Sequence, residues 1–186
     1  IRNEIIQAIE LGYGYVSEKF ALNFNAYNTL WKNKPESGTY SNEAGETASY
    51  NINGIDALHQ GLELDFAWKI SQSFKYDFLS SIGKWKWISG DTVNLYSNQQ
   101  LVASEYFDAR GVSVGDSPQI QIGSSINYSH KFNEKISTYI TLKGLYYDRF
   151  YADFNPFTLN DDKVVWRMPG YTLFDLHFGN TIKFKE

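Results

Sequence analysis

The chain of 186 residues contains no cysteine. Disulfide scaffolds and thiolate metal sites are therefore excluded, although the compartment is left open. Positive charge is not in surplus either. The formal net charge is −4, so no basic field favours nucleic acid and none is expected as a partner. No stretch reaches the roughly 18 continuous apolar residues of a membrane helix. Mean hydropathy is only −0.41, which at first argues against any membrane protein. A β-barrel escapes that test, because only alternate residues face lipid and its loops are polar. The opening residues, Ile1-Arg2-Asn3-Glu4, do not read as a secretory signal, so a mature form or a fragment is expected.

What the chain has in abundance is aromatic residues. They make up 17%, with Tyr 14, Phe 13 and Trp 5, and such residues favour strands. Alternation with period two recurs in segment after segment. Ile9, Leu11, Tyr13 and Tyr15 share one face; Glu10, Gly12 and Gly14 share the other. A turn at Val16-Ser17-Glu18-Lys19 leads to a return strand ending near Trp31-Lys32. The clearest segment places Leu58, Leu62, Leu64, Phe66 and Trp68 on one face, with Gln60 as the polar exception. His59, Gly61, Glu63, Asp65, Ala67 and Lys69 occupy the other. Successive strand side chains point to opposite faces, so such a sequence has an oily side and a wet side.

Further strands follow the same rule. Phe74, Tyr76, Phe78 and Ile82 oppose Lys75, Asp77, Ser81 and Gly83; Ile120, Ile122, Ile126 and Tyr128 oppose Gln119, Gln121, Ser125 and Asn127. Ile136, Ile140, Leu142 and Tyr146 oppose Ser137, Thr141 and Lys143; Phe174, Leu176 and Phe178 oppose Asp175, His177 and Gly179. Leu79, Tyr139, Leu145 and Leu173 break the rule by falling on the wet face.

Connections alternate short and long. Short turns are expected at 16–19, 70–73 and 131–135, with another at Asn180 to Lys183. Long polar stretches are expected from Asn33 to Asp56, from Trp87 to about Pro118, and from Asp148 to Gly170. In an antiparallel meander this sorts short turns to one end and long loops to the other, as in outer-membrane barrels. Tyr15, Phe20, Trp68, Phe74, Tyr76, Tyr128, Phe132 and Phe178 gather beside the short turns. They would form an aromatic girdle at one membrane surface, or they simply reflect strand preference. About seven strands are visible, fewer than a closed barrel needs, so further strands or another chain must complete the sheet.

Several stretches resemble the TonB-dependent transporters of the bacterial outer membrane, especially those of Bacteroidetes-like organisms. Ile9 to Tyr15 followed by Phe20 to Asn25 resembles a paired strand motif of that family. Ala26 to Lys32 resembles a strand end before a large external loop, and Asn53 to Phe66 is similar to its "N-G-x-x-A-x-x-x-G-x-E-x-D" strand. Val114 to Gln119 and Tyr146 to Pro156 are further echoes. The resemblance implies an all-β fold of antiparallel strands, an incomplete fragment of a transmembrane β-barrel of about twenty-two strands. Residues 1–186 would be a partial barrel domain, with the plug, the coupling box and the aromatic-ended last strand absent; the chain stops at Phe184-Lys185-Glu186. Import of a scarce nutrient across the outer membrane is implied: a ferric chelate such as a siderophore, a cobalamin-like cofactor or an oligosaccharide. Partners would be outer-membrane lipid, the rest of the barrel and plug, and the TonB coupling protein. The competing reading is a soluble all-β carbohydrate-binding module; a porin or adhesin is a third.

No catalytic constellation is present, so no enzyme is expected, and no cofactor. Glu10, His59, Glu63, Asp65, Asp77, Lys143, Asp175 and His177 are candidates to line the lumen or meet the plug. His59, His130 and His177 lack metal-ligand spacing. The wet-face glycines Gly12, Gly14, Gly61, Gly83, Gly123 and Gly179 would leave room for a neighbouring side chain or the plug, or permit local bends. Trp31, Trp85, Trp87, Tyr147 and Trp166 lie toward the long loops, where they could stack on a sugar or aromatic chelate, form an outer girdle, or stiffen loop bases. Acidic residues Glu36, Glu43, Glu46, Asp91, Asp161 and Asp162 offer oxygens for calcium, though a solvated loop face explains them equally.

Overall fold

The computed structural model describes residues 3–41, 45–159 and 162–184. These residues form one antiparallel sheet, with no helix among them. Its strands are β1 (Ile5–Val16), β2 (Phe20–Ser41), β3 (Thr47–Lys69), β4 (Phe74–Trp87), β5 (Gly90–Ser97), β6 (Gln100–Asp108), β7 (Pro118–Lys131), β8 (Ile136–Tyr151), β9 (Arg167–Met168) and β10 (Tyr171–Ile182). The main path runs β1-β2-β3-β4-β7-β8-β10, with β5, β6 and β9 branching from it. The sheet does not close; β1 and β10 are its edges.

The short turns hold through local side chains. Phe20 and Phe74 donate their backbone N–H to the hydroxyls of Ser17 and Ser71 at 3.0 and 3.1 Å. Asn133 Oδ1 accepts the N–H groups of Lys135 and Ile136, each at 2.9 Å. Ser and Asn favour turns for this reason. No turn forms at Asn180 to Lys183, because β10 pairs with β8 as far as Ile182.

Register carries the alternation across the whole sheet. Leu22, Phe66, Phe78, Ser124, Gly144 and Phe174 form one row of partners on the apolar face. Nothing among the described residues covers that face at β10, where Phe174, Leu176 and Phe178 are 75%, 67% and 76% exposed. The aromatics near the short turns touch in series. Tyr15 meets Phe20, Phe20 meets Phe66, and Phe66 meets Tyr76 and Phe78. Farther along, Phe74 meets Tyr128, which stacks on His130, which meets Phe132.

The expected long polar stretches differ most from the structure. Asn33 to Asp56 is largely strand, because β2 and β3 run on as a long hairpin. The second stretch holds the β5–β6 hairpin, closed by Asn98 and Gln99 at φ 48° and 64°. Positive φ at both turn residues is what a tight two-residue hairpin requires. The third holds β9.

These segments fold together as a cap with its own core, formed by Ile52, Ile55, Val93, Phe107, Val112 and Phe154 around Trp87. The register of β2 against β3 shifts between Trp31 and Lys34 and again before Glu36. Asn33, at φ 55°, donates its N–H to Asp56 Oδ1 at 2.9 Å within this bulge. Below it Ala57 is buried; above it Ile55, its neighbour Gly54 and then Ile52 are buried, so the period of two is broken. A bulge of this kind redirects the side chains beyond it.

Candidate functional site

At the base of the cap, the polar face gathers side chains from four strands. The register aligns Glu10, Tyr27, Gly61 and Gly83 in one row. The row above holds Thr29, His59 and Trp85, and the row below holds Asn25, Glu63 and Ser81. Gly61 and Gly83 make this packing feasible. A Cβ at Gly61 would lie 2.4 Å from the Tyr27 hydroxyl, and one at Gly83 would lie 2.6 Å from Trp85 Nε1. Both rings therefore rest on bare backbone, as the wet-face glycines predict.

Trp85 Nε1 donates to the Tyr27 hydroxyl at 2.9 Å, and the His59 ring lies 5.6 Å from the Trp85 ring. Gln119 fixes the Trp85 backbone from both sides: its amide accepts the Trp85 N–H at 3.1 Å and donates to the Trp85 carbonyl at 3.1 Å. Gln119 is buried, so its amide stands in for a strand partner where β7 leaves the ladder. Glu10, Asn25, Tyr27, His59, Glu63 and Trp85 line a shallow concavity of about 320 Å3. Its polar groups comprise both acceptors and donors, and its walls include indole and phenol rings.

The expected aromatic contacts divide. Trp85 is in the concavity. Trp87 is not a ligand contact: it is 1% exposed, packed edge-on against Phe154 at 5.7 Å, and its indole N–H has no partner among the described residues. It stabilises the cap core instead. Trp31 donates to Glu4 Oε2 at 2.8 Å, and Lys34 Nζ lies 5.3 Å from the ring centres of both Trp31 and Trp87. Tyr147 pairs with Tyr171 at 5.3 Å on β8 and β10, outside the concavity. Trp166 is 63% exposed in the segment before β9.

The remaining polar-face candidates form a second group nearer the short turns. Asp77, Ser125, Lys143 and Asp175 share one row, and His177 lies across from Thr141 in the next. Lys75 pairs with Asp77 at 2.7 Å. Asp77 Oδ2 also accepts from Asn127 at 3.0 Å, and Asn127 accepts from Thr141 at 2.8 Å. Asp65 sits between the two groups, across from Asn23. Three of the apolar exceptions fall in line with it: Leu79, Leu145 and Leu173 share one row, and Gly123 leaves space between Leu79 and Leu145.

Among the described residues no group of three or more His, Asp or Glu side chains could hold a metal ion. Glu36 pairs with Lys34, and Asp91 accepts the Gly54 N–H at 2.8 Å. Glu43 and Asp161 lie outside the described residues. In the sequence Asn25 and Gln119 read only as polar-face residues and Tyr27 as part of a strand end, because each matters through partners on other strands. No protein-family model matches the chain, and no curated protein and no solved structure matches it significantly.

Proposed function

We propose that the chain is part of the wall of an outer-membrane β-barrel, in a TonB-dependent transporter that imports a scarce nutrient. The carrying observation is the two-sidedness of the sheet. Its apolar face is left uncovered by the described residues, while the reverse face bears Glu10, His59, Glu63, Asp65, Asp77, Lys143, Asp175 and His177. In a bilayer the first face meets hydrocarbon and the second lines the lumen. Leu58 to Trp68 has about the length a tilted strand needs to cross the hydrocarbon layer. The contiguous aromatics at the short-turn end suit a membrane interface, where amphipathic rings prefer to sit. The open edges at β1 and β10 call for further strands, because unpaired backbone is not tolerated in lipid.

On this reading the short turns face the periplasm and the cap faces outward. The chain does no chemistry on its substrate. It supplies wall, external cap and lumen contacts, and the plug and coupling protein act elsewhere in the assembly.

The soluble carbohydrate-binding module remains the competing reading, supported by the Trp85–His59–Tyr27 cluster. It requires a cover for Leu62, Leu64 and Phe66. Labelling the intact protein with a lipid-phase photoprobe separates the two. Modification at Leu62, Leu64 and Phe66, sparing Glu63 and Asp65, supports the barrel; an intact protein that stays dissolved without detergent overturns it.

A further inference from the structure

We infer that the concavity formed by Glu10, Asn25, Tyr27, His59, Glu63 and Trp85 is a binding site for a neutral, polyhydroxylated ligand, a segment of oligosaccharide. The inference rests on reading this face as the lumen of a transporter, and it names the substrate class.

The argument begins with charge. Glu10 and Glu63 lie in adjacent rows on the same face, so the site repels anions. The nearest cation in the cap is already engaged, because Lys34 pairs with Glu36 and lies over the Trp31 and Trp87 rings. An anionic ferric chelate would meet two carboxylates with no free partner charge among these groups.

Hydrogen-bonding capacity comes next. Ionised carboxylates only accept, and vicinal hydroxyls are donors spaced to meet them. Asn25, His59 and the Tyr27 hydroxyl add both donors and acceptors. The Trp85 N–H is spent on Tyr27, which leaves the Tyr27 hydroxyl proton free to point elsewhere. A simple cation would use acceptors alone and waste the donors. A polyol uses both.

Shape supplies the third element. The Tyr27 and Trp85 rings lie over Gly61 and Gly83, so one side of each rests on the sheet. Both residues are half-buried, so the rings keep part of their surface in water. An apolar C–H face of a sugar ring is complementary to such a platform. The concavity is shallow and open, which suits a passing chain segment better than a molecule to be enclosed.

The test uses the intact protein in detergent micelles. Calorimetry is run with neutral linear hexasaccharides of glucose, xylose, mannose, galactose or N-acetylglucosamine, with spermidine as a cation and ferric tris-catecholate as an anion. At least one hexasaccharide is expected to bind. Glu63→Gln should weaken it about tenfold or more, since a charge-assisted hydrogen bond is lost. Trp85→Ala should do the same, and Val164→Ala, at a residue 75% exposed before β9, should leave it unchanged. Glu63→Gln is nearly isosteric, so it stays informative where Trp85→Ala disturbs the fold.

The inference is overturned where no hexasaccharide binds, where binding ignores Glu63→Gln, or where spermidine or the ferric anion is the ligand that responds. The transport reading fails separately. A protein dissolved without detergent that still binds sugar at Trp85 keeps the site and loses the transporter. A detergent-requiring protein blind to all the sugars does the reverse.

Discussion

Tyr27 on β2 extends its ring over Gly61 of β3, where its hydroxyl accepts the indole N–H of Trp85 on β4 at 2.9 Å. The bond exists because β3 presents no side chain at that crossing. Gly61→Ala will force Tyr27 off the sheet, since the new Cβ would lie 2.4 Å from its hydroxyl. The expected result is loss of the Trp85–Tyr27 bond and a shift of Trp85 fluorescence. Tyr27→Phe removes the same bond without the clash, and should cost about 1 kcal/mol in chemical denaturation.

Trp87→Ala will empty the centre of the cap. A buried tryptophan truncated to alanine costs about 3–5 kcal/mol. Hydrogen exchange should accelerate at Ile52, Val93, Phe107 and Val112, which share that core, while the amides of β7 and β8 below Ile126 keep their protection. A uniform loss of protection would mean that cap and sheet unfold as one unit.

Leu176→Arg and Leu62→Arg place a cation on the apolar face. In lipid the cost should be about 2–4 kcal/mol near mid-membrane, read by urea titration of the intact protein folded into vesicles. The same change at exposed Asp65, on the opposite face, should cost much less. Equal costs on both faces would remove the basis for assigning either to lipid.

The cap should respond to pH in two opposite directions. Although Asp153 is exposed as a residue, surrounding protein strips water from its carboxyl. That loss, with the adjacent Asp116, pushes its pKa up to about 6 from the ordinary 3.8. A raised carboxyl favours the folded cap when protonated. Its stabilisation is complete below the ordinary value and is lost as pH rises through about 6. Asp108 behaves in reverse: hydrogen bonds from Arg110 and Lys163 hold its carboxyl well below the usual range. Its stabilisation is present above the ordinary value and fades as pH falls below it. Exchange protection in the cap should therefore rise on acidification from neutrality toward about pH 5 and collapse in stronger acid. Asp153→Asn should flatten the first limb alone.

The strands and their faces were legible because alternation is local. Leu62, Leu64 and Phe66 declare an apolar face without reference to any neighbour. The exceptions needed register. Gln60 sits among apolar residues because Asn28 on β2 accepts its amide N–H at 2.7 Å. Leu79, Leu145 and Leu173 are isolated errors along the chain, yet they form a single row once β4, β7, β8 and β10 are aligned. The cap was illegible for a related reason. Ile52, Val93, Phe107 and Phe154 are scattered through polar stretches and meet only after the chain has folded back on itself. Trp87 therefore read as a loop aromatic when it is a core residue. Within the concavity, Glu10, His59, Glu63 and Trp85 were readable as polar-face or loop-end residues, but their convergence was not.

The bulge between Trp31 and Lys34 separates two regimes of selection. Beneath it, each residue of β2 and β3 answers to neighbours fixed by a continuous ladder. Above it, Ile52 and Ile55 of the hairpin join the buried core of the cap. Insertions, deletions or wholesale exchange of the hairpin tip can then accumulate without altering which side chains the lower strands present. A lineage could vary the tip while the facing of every lower side chain stayed as it was.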